Sequence, residues 1–120
     1  MVNILIVEDE IIVALDLEQK LKSLGHNIID IVSSGEDALK AVENNEIDLI
    51  FMDICLKGEL SGIETAILIK NESDIPIVYN SAYSDFKTRE KIKKTDNYGY
   101  LIKPFDDIQL QRAINDILKL

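Results

Sequence analysis

Short apolar runs alternate along the chain with amphipathic segments. Five runs predict strands: Asn3–Val7, Asn27–Val32, Ile47–Met52, Ile75–Tyr79 and Tyr98–Ile102. They are rich in Ile, Val, Leu and aromatics and largely lack a period of two, as strands covered on both faces do. The segments between them predict helices. In the first, Ala14, Leu17, Leu21 and Leu24 recur at steps of three and four, and Gly25 supplies a stop. A second follows Ser34 and runs from Gly35 to about Asn44. A third starts near Ser61-Gly62 and carries Ile63, Ala66 and Ile67 on one face. A fourth, about Asp85 to Lys94, is mostly polar, with only Phe86 and Ile92 strongly apolar. The last opens at Asp106, a good N-cap, and its stripe is Leu110, Ala113, Ile114, Ile117 and Leu118.

Strand alternating with helix five times predicts an α/β fold, a single doubly wound parallel sheet with helices on both faces. Right-handed crossovers leave few topologies, and the order 2-1-3-4-5 is a common one, with its switch point between strands one and three. Ligands of such sheets bind beyond the carboxyl ends of the strands, so the residues after Val7 and Met52 are the first candidates for chemistry.

Length and composition narrow the picture. The 120 residues suit one domain, 1–120, and a hydrophobic content of 47% suits a packed core. No apolar run is long enough for a membrane helix, and Ile4–Val7 is too short for a leader core, so a cytoplasmic chain is expected. Cys55 is the only cysteine, which excludes an internal disulfide and a cysteine-rich metal site. A formal net charge of −9 argues against direct binding to nucleic acid or anionic membranes, and for a cation or a partner with a basic patch.

Glu8-Asp9-Glu10 follows the first strand and Asp53 follows the third. If the two strands are neighbours, carboxylates converge at the top of the sheet, where they repel one another and favour a hard cation. Oxygen donors without His or Cys suit Mg²⁺. Taken alone, the triplet equally well decorates a loop and the first turn of a helix. The first strand–helix turn has no glycine, which disfavours a phosphate cradle for a nucleotide or flavin. The fourth strand leads into Asn80-Ser81-Ala82 and the fifth into Lys103-Pro104. Singly, Ser81 is a turn residue and Lys103 a solvated lysine. Together the strand ends supply carboxylates, a hydroxyl and an ammonium group able to pair with Asp53 or with a phosphoryl group on it.

Through ILIVEDE, DLIFMDICL, VYNSA and GYLIKPF the chain resembles, over essentially its whole length, the receiver domain of response regulators in two-component phosphorelay signalling. The spacings match as well: 44 residues from Asp9 to Asp53, 28 from there to Ser81 and 22 on to Lys103. The resemblance implies a flavodoxin-like fold and a signalling switch rather than a dedicated enzyme. It implies Asp53 as phosphoacceptor, taking its phosphoryl group from the phosphohistidine of a sensor histidine kinase or a phosphotransfer protein. It implies Mg²⁺ held by Glu8, Asp9, Asp53 and the backbone carbonyl of Cys55, with Asp9 the more direct ligand of the acidic pair. Ser81 is then the switch hydroxyl, Lys103 the cationic partner of the phosphoryl group, and Tyr100 the switch aromatic. The Lys103–Pro104 bond is expected to be cis. A downstream protein would read the face made by the fourth helix, fifth strand and fifth helix.

The sequence departs from the family pattern in places. Glu8 stands where many members have Asp, and its longer arm is expected to reach a metal-bound water. In the loop Ile54–Gly62, Lys57 stands where many have proline, and one extra residue precedes Gly62; a more mobile loop is expected. Ser81 replaces the commoner Thr. His26, the only histidine, is expected to be exposed in a turn. Tyr79, Tyr83 and Tyr98 carry no assigned role. Lys87, Arg89, Lys91, Lys93 and Lys94 form a basic run on the fourth helix, by default a solvated face and otherwise part of a docking surface. No linker or effector segment follows the fifth helix within the sequence, consistent with a single-domain regulator or a piece of a longer protein. Two rival functions remain. A Mg²⁺-dependent aspartyl-phosphate phosphohydrolase would place a second acid where Cys55 stands. A pseudo-receiver that binds partners without phosphorylation would not need Asp9, Asp53, Ser81 and Lys103 together.

Overall fold

The computed structural model describes residues 2–82 and 86–119. Five strands alternate with five helices: β1 (Asn3–Val7), α1 (Ile11–Ser23), β2 (Asn27–Val32), α2 (Gly35–Asn44), β3 (Leu49–Asp53), α3 (Gly62–Glu72), β4 (Ile77–Ser81), α4 (Phe86–Ile92), β5 (Tyr98–Ile102) and α5 (Asp107–Leu118). All strands are parallel, in the order β2-β1-β3-β4-β5. This is the doubly wound sheet that the pattern predicts.

The apolar runs are sorted by the pleat, since successive side chains of a strand face opposite ways. Leu5, Val7, Ile50, Met52, Ile77 and Tyr79 pack on one face against α2, α3 and Ile92 of α4. Ile4, Ile6, Leu49, Phe51, Val78 and Leu101 pack on the other, against α1 and α5. Central strands β1, β3 and β4 are almost wholly buried, whereas edge strands β2 and β5 leave several positions partly or fully exposed. Covering on both faces is thus complete only at the centre.

Strands three and four lie further along the chain than their apolar runs. Ile47 is buried but precedes the ladder, which starts where Leu49 pairs with Ile4. Pro76 has no N–H to donate, so β4 begins at Ile77. It extends through Asn80 and Ser81, which pair with Leu101 and Ile102. Asp53 is itself the last residue of β3.

Helix starts follow their caps. Ser34 accepts the Asp37 N–H, while Ser61 with Glu64 and Asp106 with Gln109 form reciprocal capping boxes. On α3 the buried face is Gly62, Ile63, Thr65, Ala66 and Ile69. Ile67, expected among them, is 41% exposed, because Gly62 fixes the rotation of the helix against β3. Helix α4 ends at Ile92, two residues early, and Lys93-Lys94-Thr95 closes it with turn hydrogen bonds to Arg89, Lys91 and Ile92 carbonyls. Ile92 is buried but Phe86 is 77% exposed. Tyr83 and Asp85 lie outside the described residues. His26, expected to be exposed, is half-buried; its two ring nitrogens are shielded and have no hydrogen-bond partner among the described residues. It sits where the chain turns from α1 into β2, its N–H bonded to the Leu21 carbonyl.

Candidate functional site

The carboxyl ends of β1, β3, β4 and β5 bring Glu8, Asp9, Asp53, Ser81 and Lys103 to one edge of the sheet. Parallel pairing alone ensures this, because Val7 lies opposite Met52, Asp53 opposite Asn80, and Ser81 opposite Ile102. Carboxylate oxygens of Glu8, Asp9 and Asp53 lie within 4.8 Å of one another. Glu8 and Asp53 are buried and Asp9 is half-buried. Three carboxylates this close, on a donor set of oxygens alone, fit a hard divalent cation.

Backbone donors hold the acids in place. The Cys55 N–H donates to Asp53 Oδ1 at 3.1 Å, and the Glu10 N–H to Glu8 Oε2 at 3.2 Å. Asp9 Oδ2 accepts the Lys57 N–H at 3.2 Å. Through this bond the β3–α3 loop contacts the acidic group at Lys57. Gly58 beside it has φ +111°, a backbone that side chains rarely adopt. Gly62 answers a different need. A Cβ there would lie 2.0 Å from the Asp53 carbonyl oxygen, so only glycine lets α3 start against the end of β3. Its N–H bonds the Ile54 carbonyl.

Lys103 enters from the far side. Its N–H donates to the Ser81 carbonyl, and the Lys103–Pro104 bond is cis, as expected. The ammonium group pairs with Glu8 Oε1 at 2.8 Å and lies 3.9 Å from Asp53 Oδ1. The expected pairing with Asp53 is present as this longer ion pair, and Glu8, with its longer arm, adds the shorter, hydrogen-bonded one. Burial pushes the Glu8 carboxyl above its ordinary range, and the nearby Asp53 charge adds to this, while the Lys103 bond opposes it. Ser81 is buried beside the group.

Tyr100 on β5 lies opposite Tyr79 and is half-buried, with the Arg89 guanidinium 5.1 Å from its ring centre. The basic run contains Arg89, but its spacing does not encode this cation–π contact. Arg89, Lys93, Tyr98, Tyr100, Arg112 and Ala113 line a groove of about 450 Å³ between α4, β5 and α5. The thiol-bearing Cys55 is exposed. No helix among the described residues is long and apolar enough to cross a membrane.

A model of the response regulator receiver domain matches residues 4–115. The chain belongs to this family. Among curated relatives, this receiver domain is 32% identical over 112 residues to the transcriptional regulatory protein PdtaR of Mycobacterium tuberculosis, covering 93% of this chain and 54% of that protein. It is 34% identical over 118 residues to the transcriptional regulatory protein YvrH of Bacillus subtilis, covering 98% of this chain and 49% of that one. The chain thus spans about half the length of these relatives. Among solved structures, the receiver domain of sensor histidine kinase PA1611 from Pseudomonas aeruginosa, with magnesium in its active-site cleft, superposes with a TM-score of 0.86 at 29% identity, covering 99% of this chain and 98% of that one. The response regulator TrrA from Thermotoga maritima, in complex with Mg²⁺ and BeF, gives 0.85 at 31% identity, covering 98% and 99%.

Proposed function

We propose that this receiver domain is a switch that accepts a phosphoryl group on Asp53 from the phosphohistidine of a sensor histidine kinase or phosphotransfer protein. The observation that carries the reading is the convergence of Glu8, Asp9 and Asp53 with the Lys103 ammonium group at one end of the sheet. An Asp53 oxygen attacks phosphorus as the P–N bond breaks, and the electron pair returns to the imidazole. Little covalent work falls to the rest of the site, whose tasks are positioning and charge neutralisation. The Cys55 N–H orients the Asp53 carboxylate, while the Lys103 ammonium and the Ser81 hydroxyl receive the transferred oxygens. Asp9, Asp53, Glu8 and the Cys55 carbonyl would hold Mg²⁺, which when bound neutralises charge on those oxygens.

Output is read by a downstream protein at the face of α4, β5 and α5. Five of the thirteen Lys and Arg residues lie between Lys87 and Lys94 in an otherwise acidic chain. The groove there joins cations to the two tyrosine rings, which suits an acidic partner segment with an apolar anchor. The test is incubation with Mg²⁺ and a small acyl-phosphate donor, followed by intact mass measurement. One added phosphate is expected on the wild type and none on Asp53→Asn; equal labelling of the two would refute the assignment.

A further inference from the structure

Asn80 is the last residue but one of β4, and the ladder sets it opposite Asp53 on one side and Leu101 on the other. Side chains alternate along a strand. Val78 faces α1 and α5 while Tyr79 faces α2 and α3, so Asn80 belongs to the α1 and α5 face. Asp53, two residues after Phe51, lies on the same face. Neighbouring strands run about 4.8 Å apart, which makes the Asn80 carboxamide and the Asp53 carboxylate adjacent side chains. The other neighbours of Asn80 on that face, Val78 and Leu101, are apolar and buried. Asn80 is itself 3% exposed, yet among the described residues no hydrogen bond reaches its carboxamide; the bond it accepts from the Ile54 N–H is at its backbone carbonyl. A buried carboxamide costs free energy until its donors are matched. An apolar side chain like its neighbours would carry no such cost, so packing does not account for an asparagine here.

We propose that the Asn80 carboxamide donates a hydrogen bond to the Asp53 carboxylate as the phosphoryl group is lost, and so shortens the life of the phosphorylated state. The proposal rests on Asp53 being the acceptor. In hydrolysis a water oxygen bonds to phosphorus and the bond from phosphorus to the Asp53 oxygen breaks. Its electron pair returns to the carboxylate, and the water's two protons stay with the released phosphate. Negative charge therefore grows on the carboxylate, beside Asn80. A donor there stabilises the transition state more than the acyl phosphate, whose acyl oxygens carry less charge. Hydrogen bonds of this kind are often long at rest and tighten only in the reaction. In the forward direction the same donor stabilises the carboxylate before it attacks, so it gives phosphorylation no help. Lys103 and Ser81 serve the transferred oxygens, whereas Asn80 serves the leaving group.

The test loads wild type, Asn80→Leu and Asn80→Ala with a small acyl-phosphate donor and Mg²⁺, removes the donor, and follows loss of the phosphate by intact mass. Asn80→Leu keeps the branching at Cγ but has no donor. Its phosphate is expected to be lost about tenfold more slowly, the size of one hydrogen bond to a charged group, while loading is no slower than in wild type. Asn80→Ala should behave alike, and carries the comparison alone if the leucine variant misfolds. A residue that only props up the site would slow loading and loss together when replaced. In ¹⁵N-labelled wild type, beryllofluoride with Mg²⁺ should move one Nδ2–H resonance of Asn80 downfield, and Asp53→Ala should abolish the shift. Unchanged loss in both variants, loading and loss slowed together, or an Asn80 resonance unmoved by beryllofluoride would overturn the proposal while leaving Asp53 as acceptor. Failure of the wild type to take up phosphate, or equal loading of Asp53→Asn, would overturn the functional reading, and this proposal with it.

Discussion

At the scale of single residues, two glycines of one loop make opposite demands. Gly62 is required for space and Gly58 for backbone angle. Gly62→Ala would drive a methyl group into the Asp53 carbonyl oxygen, a backbone atom that cannot swing away. A loss of roughly 2–3 kcal/mol is expected in urea unfolding, as for overpacking of a tight core. Gly58→Ala meets no atom within 4 Å and is strained only by φ, so about 1 kcal/mol is expected. Equal losses would contradict this division. Tyr79 offers a test by pH. Its ring is buried, and its hydroxyl donates to Thr95 Oγ1 at 2.9 Å, which in turn donates to the Ile92 carbonyl. Burial pushes the phenol above its ordinary range, and Tyr98 adds to this, with the Thr95 bond opposing. A group with a raised folded pKa stabilises fully below its unfolded value, near 10, and loses that contribution as pH rises through the folded value. Stability should therefore fall in alkali above the ordinary tyrosine range. Tyr79→Phe should lose about 1 kcal/mol at neutral pH from the missing hydrogen bond, yet show a shallower alkaline decline in thermal melts. An unaltered decline would assign it to other groups.

At the scale of elements, α4 differs from its neighbours. It has seven residues, of which only Ile92 is buried, whereas α3 and α5 each bury several and begin with capping boxes. Few apolar contacts oppose local opening of such an element. Amide exchange across 86–92 should be the fastest of the five helices. Ile92→Ala should quicken it further while the amides of β1 and β3 respond less; uniform acceleration would mean that α4 unfolds only with the whole domain. The elements also show what a sequence carries and what it does not. Helix α2 is legible to the residue because Ser34 caps it and Asn44-Asn45 ends it. Strands β3 and β4 are displaced because Ile47 is buried without belonging to the ladder and Pro76 cannot donate to it: an apolar run reports burial, not pairing. The meeting of Glu8, Asp9 and Asp53 is legible because every strand points the same way, so residues after each strand share one edge. The Lys103–Glu8 bond is not, since reach across the sheet depends on side-chain paths that spacing does not encode. The shielded ring of His26 was missed for the same reason.

At the scale of the whole molecule, the candidate site and the proposed output face lie on different surfaces, joined by β4 and β5. Ser81 closes β4 beside the acidic group, and its carbonyl holds the Lys103 N–H. Two residues back on β4, Tyr79 lies opposite Tyr100 on β5. Tyr100 in turn sits under Arg89 of α4. A pull on the Ser81 hydroxyl from a phosphoryl oxygen would thus be felt first at the end of β4 and, through the ladder, at β5, which packs beneath the α4 face. Helix α4, whose one buried side chain is Ile92, resists least. Coupling of about 1–3 kcal/mol suffices to repopulate two arrangements of such an element. Beryllofluoride with Mg²⁺ is therefore expected to shift backbone amide resonances from Ser81 to Tyr100, and the Arg89 Nε–H resonance with them as its stacking on Tyr100 changes. Ser81→Ala removes the hydroxyl but leaves the carbonyl that holds Lys103, so phosphorylation at Asp53 should persist while the shifts at Tyr100 and Arg89 shrink. If Ser81→Ala gave the full response at Arg89, the signal would be travelling through Lys103 and the end of β5 instead, and the role of the hydroxyl would be refuted even with Asp53 phosphorylated.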